Sequence, residues 1–328
     1  MKIAVIGAGW LGCHISYKLK QHHDVTLFDR SGIFSSSSFF NQNRLHKGFH
    51  YSRNQKTRKL CRDTFDIFIQ DYPTLVDDIE NNYYVIPTDK SLIDFGTFKS
   101  IFFHENIEFI ESDLKCLRNI DGSMIVDEKY IDPVKSKNFF EKTLQDILQI
   151  KKITQSDLSE LSAEYDLVIN VTNNMLQSLP ECYFELSLTL IYDRLVDKSF
   201  GSITMVDGSL FSIYPFHDTT YTVTDVEYTP LYTSTSISDC MQYKTTINDA
   251  MIGNIRHKIE EKIRYYYGGF ETHFKFNSYY TSVKVKRNSE SADRAPIISK
   301  TGNIITCVTG KIQGIYTLEN YINENINR

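Results

Sequence analysis

Residues 3–29, IAVIGAGWLGCHISYKLKQHHDVTLFD, carry an unbroken strand, turn, helix and strand pattern. An apolar run, Ile3 to Ile6, enters a turn that holds Gly7, Gly9 and Gly12. A helical stretch follows, and a second apolar run, Val25 to Phe28, ends on Asp29, twenty residues beyond Gly9. This is the dinucleotide-binding fingerprint. Gly7 makes the tight turn, Gly9 lets backbone N–H groups reach a pyrophosphate, and Gly12 lets the helix lie close to the strand. The helix N-terminus then turns its dipole toward the anion. Asp29 can accept hydrogen bonds from both ribose hydroxyls, an arrangement that a 2′-phosphate makes repulsive, so NADP is disfavoured. An ordinary glycine-rich turn would not need strand, glycines, helix, second strand and terminal acid all in register.

Composition narrows the class. A chain of 328 residues can bury about three quarters of its unfolded surface and hold one large or two ordinary domains. Its formal charge of −5 gives no electrostatic reason to expect nucleic acid or an anionic membrane as partner. The six cysteines, Cys13, Cys61, Cys116, Cys182, Cys240 and Cys307, show neither CxxC nor CxxH spacing. Reduced thiols, no metal site and a cytoplasmic setting are therefore expected. The first apolar run is expected as a central strand rather than a signal peptide, and no uncharged run approaches membrane length. GxSxG, HExxH and P-loop motifs are missing from the sequence, which leaves hydrolase and kinase readings without support.

The rest of the chain predicts an interrupted organisation. After Asp29 comes a serine-rich loop, 31–43, and then a helix over about 55–70 with Cys61, Thr64, Phe65 and Phe68 on one stripe, closed by Pro73. Residues 83–117 read as small strands. A helix over about 132–148 leads to DLVINVT, 166–172, a near-continuous apolar run expected of a parallel strand buried on both faces. Residues 183–235 alternate as an antiparallel meander, 238–266 reads as one helix, and THFKFNSYYTSVKVK reads as a strand pair. The tail offers the strand NIITCVTG, a Gly310–Gly314 turn and a final helix. The expected fold is α/β and α+β: a discontinuous Rossmann-like domain over 1–82, 118–178 and 288–328, with an inserted mixed or antiparallel β-sheet substrate domain over 83–117 and 179–287.

With the third strand delayed until residue 166, the chain departs from a contiguous NAD-binding unit. It resembles instead the FAD-dependent oxidoreductases of the D-amino-acid oxidase and sarcosine/glycine oxidase type. GAGWLGCHISYKL…DVTLFDR is similar to the FAD fingerprint, and SSSSFFNQNRLHKGFHY resembles the loop that wraps the pyrophosphate and passes under the isoalloxazine. DLVINVTN resembles the strand whose end approaches the adenine half, with Asn173 in place of the glycine of the usual Ala-Thr-Gly. DRAPIISKTGNIITCVTGKIQGIYTL resembles the C-terminal element facing the flavin pyrimidine, with Gly310-Lys311-Ile312 for the usual Gly-His-Gly. The resemblance implies FAD as cofactor, held by Gly7, Gly9, Trp10, Leu11, Gly12, Asp29, Arg30, Ser37, Ser38, Asn43, Arg44, Thr172, Gly310, Lys311, Ile312 and Gly314.

The polar cluster Arg44, His46, Lys47, His50 and Tyr51 can clamp an anion and move protons. Its rival reading is a solvated basic loop. If the segment is extended, Arg44 and His46 share one face and Lys47 takes the other. Lys311 can stabilise negative charge at the N1 and O2 of a reduced flavin, or contact the substrate. Tyr214 and Tyr280 either line the pocket or pack within a sheet. The catalytic candidates are Arg44, His46, Lys47, Tyr214 and Lys311. The expected activity is that of an FAD-dependent oxidase or dehydrogenase acting on a C–N bond of a small, anionic amine or amino acid. The alternatives are oxidation of a C–O bond in a sugar or hydroxy acid, and a redox-silent nucleotide-binding module.

Overall fold

The computed structural model describes residues 1–176, 179–196, 201–288 and 294–326. Asp293 of the DRAPIISK run, and residue 178 where the second nucleotide segment was expected to end, lie outside them.

Among the described residues the nucleotide sheet runs β17 (Ile297–Thr301), β18 (Ile304–Val308), β10 (Leu167–Asn170), β1 (Lys2–Ile6), β2 (Asp24–Asp29) and β9 (Leu148–Ile150). All neighbours are parallel except β17 and β18. The delayed run DLVINVT is thus β10, paired with β1 in register from Ile3 opposite Leu167 to Ile6 opposite Asn170. Both of its sides are covered by strands, and all four of its residues are buried. Ile3, Val5, Leu27, Ile169 and Ile305 form one core with an aromatic group around Trp10, whose ring centroid lies 5.1–6.0 Å from those of Phe34, Phe68, Tyr72 and Phe140. The helix Gln55–Asp71 lends Phe65 and Phe68 to this core, and Asn54 caps it by accepting from Thr57 N.

A larger sheet, mostly antiparallel, faces it. Its order is β15 (Pro230–Ser234), β11 (Cys182–Arg194), β14 (Thr220–Asp225), β13 (Phe211–His217), β12 (Ser202–Met205), β5 (Asn82–Pro87), β7 (Ile120–Ile125) and β6 (Ile110–Ser112). β16 (Phe274–Arg287) runs beside β11. A small third sheet joins β3 (Arg44–Leu45), β8 (Lys129–Ile131) and β4 (Val76–Asp78). Because β7 pairs with β5 and β6, the expected return to the nucleotide part at residue 118 comes only after this strand.

Four local expectations change. The expected pair over 272–286 is one strand, because Asn277 is accommodated as a bulge between Phe276 opposite Tyr192 and Ser278 opposite Ile191. The helix expected over 238–266 is two, Ile237–Lys244 and Asp249–Tyr266. Thr245 and Thr246 hydroxyls bond back to the Gln242 and Tyr243 carbonyls, and Asn248 caps the second helix. The helix expected over 132–148 is Pro133–Leu144, capped by Asp132, and leaves room for β9. Between β5 and β6 the chain forms a helix, Phe95–His104, with Asp94 as cap and Phe98 and Phe102 buried.

Candidate functional site

The two large sheets meet over a cleft of about 720 Å³, lined by the glycine turn, the serine loop, the ends of β10 and β18, and residues of β11, β14 and β16. The glycine end is built from backbone. Gly7 has φ 107°, and a Cβ there would stand 2.8 Å from the Val171 carbonyl oxygen. Gly12 is a packing glycine: its added Cβ would lie 1.7 Å from the Gly7 oxygen, so the helix Trp10–Leu19 can sit on β1 only without a side chain. Gly9 opens into the cleft, and a Cβ there would meet Ser38 Oγ at 2.6 Å. Trp10 contributes its backbone N–H, which donates to Ser38 Oγ at 3.1 Å, while its indole is buried in the core rather than turned to a ligand. Leu11, Ser37 and the exposed Arg30 also line the cleft.

Asp29 does more than the sequence suggested. Its Oδ2 accepts from Ala8 N at 2.8 Å, and its Oδ1 from Ser31 N at 2.8 Å and Gly32 N at 3.0 Å. The carboxylate therefore fixes the turn around the glycines and, at the cleft wall, keeps lone pairs free for a ribose. Thr172 lines the cleft with its N–H and hydroxyl tied to Asn170 Oδ1. Asn173 stands in for a glycine: its φ of 60° is the left-handed conformation that asparagine tolerates best among side-chain-bearing residues.

The other end is built from side chains. Arg44 is 7% exposed, its guanidinium lies 3.9 Å over the Tyr214 ring, and it donates to Thr204 Oγ1 at 2.7 Å and Gln42 Oε1 at 2.9 Å. Among the described residues no carboxylate lies within ion-pair distance of it. A buried guanidinium with neutral partners, opening on a cleft, is a ready anion site. Tyr214 itself is buried, donates to the Lys129 carbonyl at 3.0 Å and supports Arg44 from behind, so it does not line the cleft. Burial raises its phenol well above the usual range.

Lys311 also lines the cleft. Its Nζ lies 3.1 Å from His46 Nε2 and 4.4 Å from the centre of the Tyr51 ring. His46 is fully buried outside the cleft lining and is held neutral, first by burial and then by the Lys311 charge. Acceptance from Lys311 puts its proton on Nδ1. It touches Lys311 from behind and is not a group at the cleft. Lys47 is turned away: its Nζ pairs with Asp127 at 3.3 Å because β3 ends at Leu45 and the chain bends there. Asn43 is buried at the cleft wall and braces the serine loop through Phe39 and Asn41 carbonyls. Gly310 and Ile312 line the cleft, whereas Gly314 packs against Thr309 and Pro296. His50 lines it, its imidazole kept neutral by burial and by Arg44. Tyr280 stacks on Phe40, 4.3 Å between centroids, away from the cleft lining.

Sequence reasoning missed Lys284, Lys286, Glu185 and Arg294, which face the same space. A signal existed. In SVKVK the two lysines alternate with valines and so fall on one face of a strand paired along its length, an uncommon place for unneeded charge.

The glycine turn, the anchored acid at the end of β2 and the cation-lined wall fit a dinucleotide carrying an acidic pyrophosphate and an electron-accepting ring. They define a dinucleotide-dependent oxidoreductase. The family model described as FAD dependent oxidoreductase matches residues 2–90. The chain is also 31% identical over 333 residues to the FAD-dependent monooxygenase FPY4 of Fusarium mangiferae, covering 96% of this chain and 88% of that protein. It therefore belongs to the FAD-dependent oxidoreductases of the D-amino-acid oxidase family, and is an FAD enzyme. The FAD-dependent monooxygenase kojA of Aspergillus flavus is 24% identical over 358 residues, 97% of this chain and 83% of that one. Among solved structures, glycine oxidase from Geobacillus kaustophilus shares the fold at a TM-score of 0.70 and 11% identity, over 96% of this chain and 90% of that one.

Proposed function

We propose that this enzyme oxidises a carbon–nitrogen bond of a small anionic substrate, most simply an amino or N-alkylamino acid. The observation that carries this reading is Arg44: a buried guanidinium stacked on Tyr214, facing the cleft, with only neutral hydrogen-bond partners. A substrate carboxylate completes its hydrogen bonding and offsets its own burial there. The chemistry that FAD would supply there is a two-electron acceptor for the substrate C–H bond. Gly9 and Ser38 would hold the pyrophosphate, with Ser38 oriented by the Trp10 amide, Asp29 would hold the ribose, and Thr172 and Asn173 would face the adenine half. Lys311, steadied by His46, would stabilise negative charge on the flavin pyrimidine. The wall of β11 and β16 excludes bulk water from the substrate. The free cysteines among the described residues support a cytoplasmic setting.

Anaerobic mixing of the yellow protein with amines, amino acids, hydroxy acids and sugars tests the reading. Bleaching by amino acids, with ammonia or an amine released in later turnover, is the expected result. Bleaching by neutral sugars alone, unaffected by Arg44→Ala, sinks it. The 31% identity to a protein named as a monooxygenase favours a second reading, insertion of an oxygen atom into the substrate. Product mass after turnover under ¹⁸O₂ separates the two.

A further inference from the structure

β16 brings an amine to the cleft that the oxidation described above does not use. Lys284 sits on this strand directly opposite Glu185 of β11, the carboxylate that a cross-strand lysine would ordinarily pair with. Glu185 is already engaged: its Oε2 is taken by Lys286 and its Oε1 accepts from Ser187 Oγ at 2.6 Å. Lys284 is thus left with no hydrogen bond or ion pair among the described residues, half-buried and lining the cleft.

We propose that Lys284 is a nucleophilic amine that captures a small oxo acid, an aldehyde or ketone bearing a carboxylate, as a covalent imine. The nitrogen lone pair adds to the carbonyl carbon. Both amine hydrogens leave with the carbonyl oxygen as one water molecule, and a C=N bond remains, so no oxidant or reductant is consumed. Lysine attacks carbonyls only as the free base, and burial beside other cations is how proteins supply that form. The charged groups facing Lys284 are Glu185 on β11, Lys286 on its own strand, Arg294 just before β17 and Lys311 in the turn after β18. Among the described residues Glu185 offsets Lys286, and Arg294 and Lys311 remain as the cations around the amine. They disfavour its protonated form and attract the carboxylate of the incoming carbonyl compound. Burial pushes the Lys284 ammonium down to about 8, with Lys286, Arg294 and Lys311 adding to the effect and the Glu185 carboxylate opposing it. The proposal does not depend on which bond the enzyme oxidises.

The test uses the FAD-loaded protein, glyoxylate as probe and cyanoborohydride to fix the imine, with the modified lysines mapped by peptide mass spectrometry. At pH 8 an amine of this kind presents roughly a hundredfold more free base than an ordinary lysine. Lys284 is therefore expected to be modified roughly a hundredfold faster than exposed lysines such as Lys275. Its rate should climb with pH and level off above about 8. It should also exceed the rate with propionaldehyde, which lacks the carboxylate. Lys284→Arg keeps the charge and should lose the adduct at this position while retaining FAD. Wild-type modification spread evenly over surface lysines, or absent from Lys284, overturns the proposal whether or not the variant folds. Equal labelling by propionaldehyde overturns the anion preference. Neither result bears on carbon–nitrogen oxidation, which is read from flavin bleaching.

Discussion

The two ends of the cleft recognise in different materials. At the glycine end, backbone amides and the absence of side chains make the surface: added Cβ atoms would stand 1.7 Å from a neighbouring oxygen at Gly12 and 2.8 Å at Gly7. At the other end, Arg44, Lys284, Arg294 and Lys311 converge from segments far apart in the chain. The first surface has almost no tolerance for substitution because close packing forbids one added carbon. The second tolerates exchange of a side chain at the cost of chemistry rather than of fold. Conserving the cofactor while changing the substrate is physically straightforward in such a molecule.

The sharpest way to break this contrast is Gly12→Ala. One carbon at this position collides with backbone rather than a flexible side chain, so a loss of about 3 kcal/mol or more and failure to retain FAD are expected. Flavin absorbance of the purified variant and its melting temperature are the readings. A stable yellow protein would remove the distinction between the two ends.

Glu128 tests the side-chain end from behind. It is buried, accepts from Lys47 N at 2.7 Å and Tyr84 OH at 2.9 Å, and lies near Arg44; burial raises its carboxyl from 4.5 to about 7. A folded-state value above the unfolded one means the folded protein binds this proton more tightly. Its contribution is complete below about 4.5 and is lost as pH rises through about 7. That amounts to as much as about 3 kcal/mol. Glu128→Gln is expected to flatten denaturant-measured stability across that window. An unchanged slope would mean Glu128 stays ionised throughout.

Asp29→Ala should weaken FAD binding by about 2 kcal/mol, from the lost charge-assisted ribose contact and from release of the Ala8 amide that steadies the turn. Equilibrium dialysis against FAD reads it, and undiminished affinity would leave Asp29 a purely local brace. The smallest effect is expected for Lys311→Met. Removing a cation near the flavin pyrimidine should lower its reduction potential by about 30 mV, one tenfold step in a two-electron equilibrium. A potential equal to or above that of the parent protein would put Lys311 away from the ring.

Legibility in sequence followed the same division. Backbone recognition needs particular residues at particular spacings, so Gly7, Gly9, Gly12 and Asp29 could be read directly, as could the buried run that became β10. Arg44 and Lys311 stood out because each lies within a stretch resembling a known loop. His46, Lys47 and Tyr214 lie outside the cleft lining, which spacing does not convey: β3 is two residues long, so alternation past Leu45 does not hold, and Tyr214 faces the Arg44 guanidinium rather than the cleft. Lys284 was invisible for a different reason. Its isolation depends on Glu185 being engaged elsewhere, and that follows from a cross-strand register between residues about a hundred positions apart.

The interleaving of the parallel sheet also shapes how the chain comes into being. β1 must wait during synthesis for β10, some 160 residues later, and β10 for β18, later still by a similar margin. At ribosomal speeds each interval lasts on the order of ten seconds. Through that time the apolar edge of β1 is uncovered, and the last strand to pair with β10 seals a flank that has been open since β10 emerged. A nascent chain of this design is a natural client of chaperones. FAD can find its full site only after the turn that carries Gly310 and Lys311 has been made.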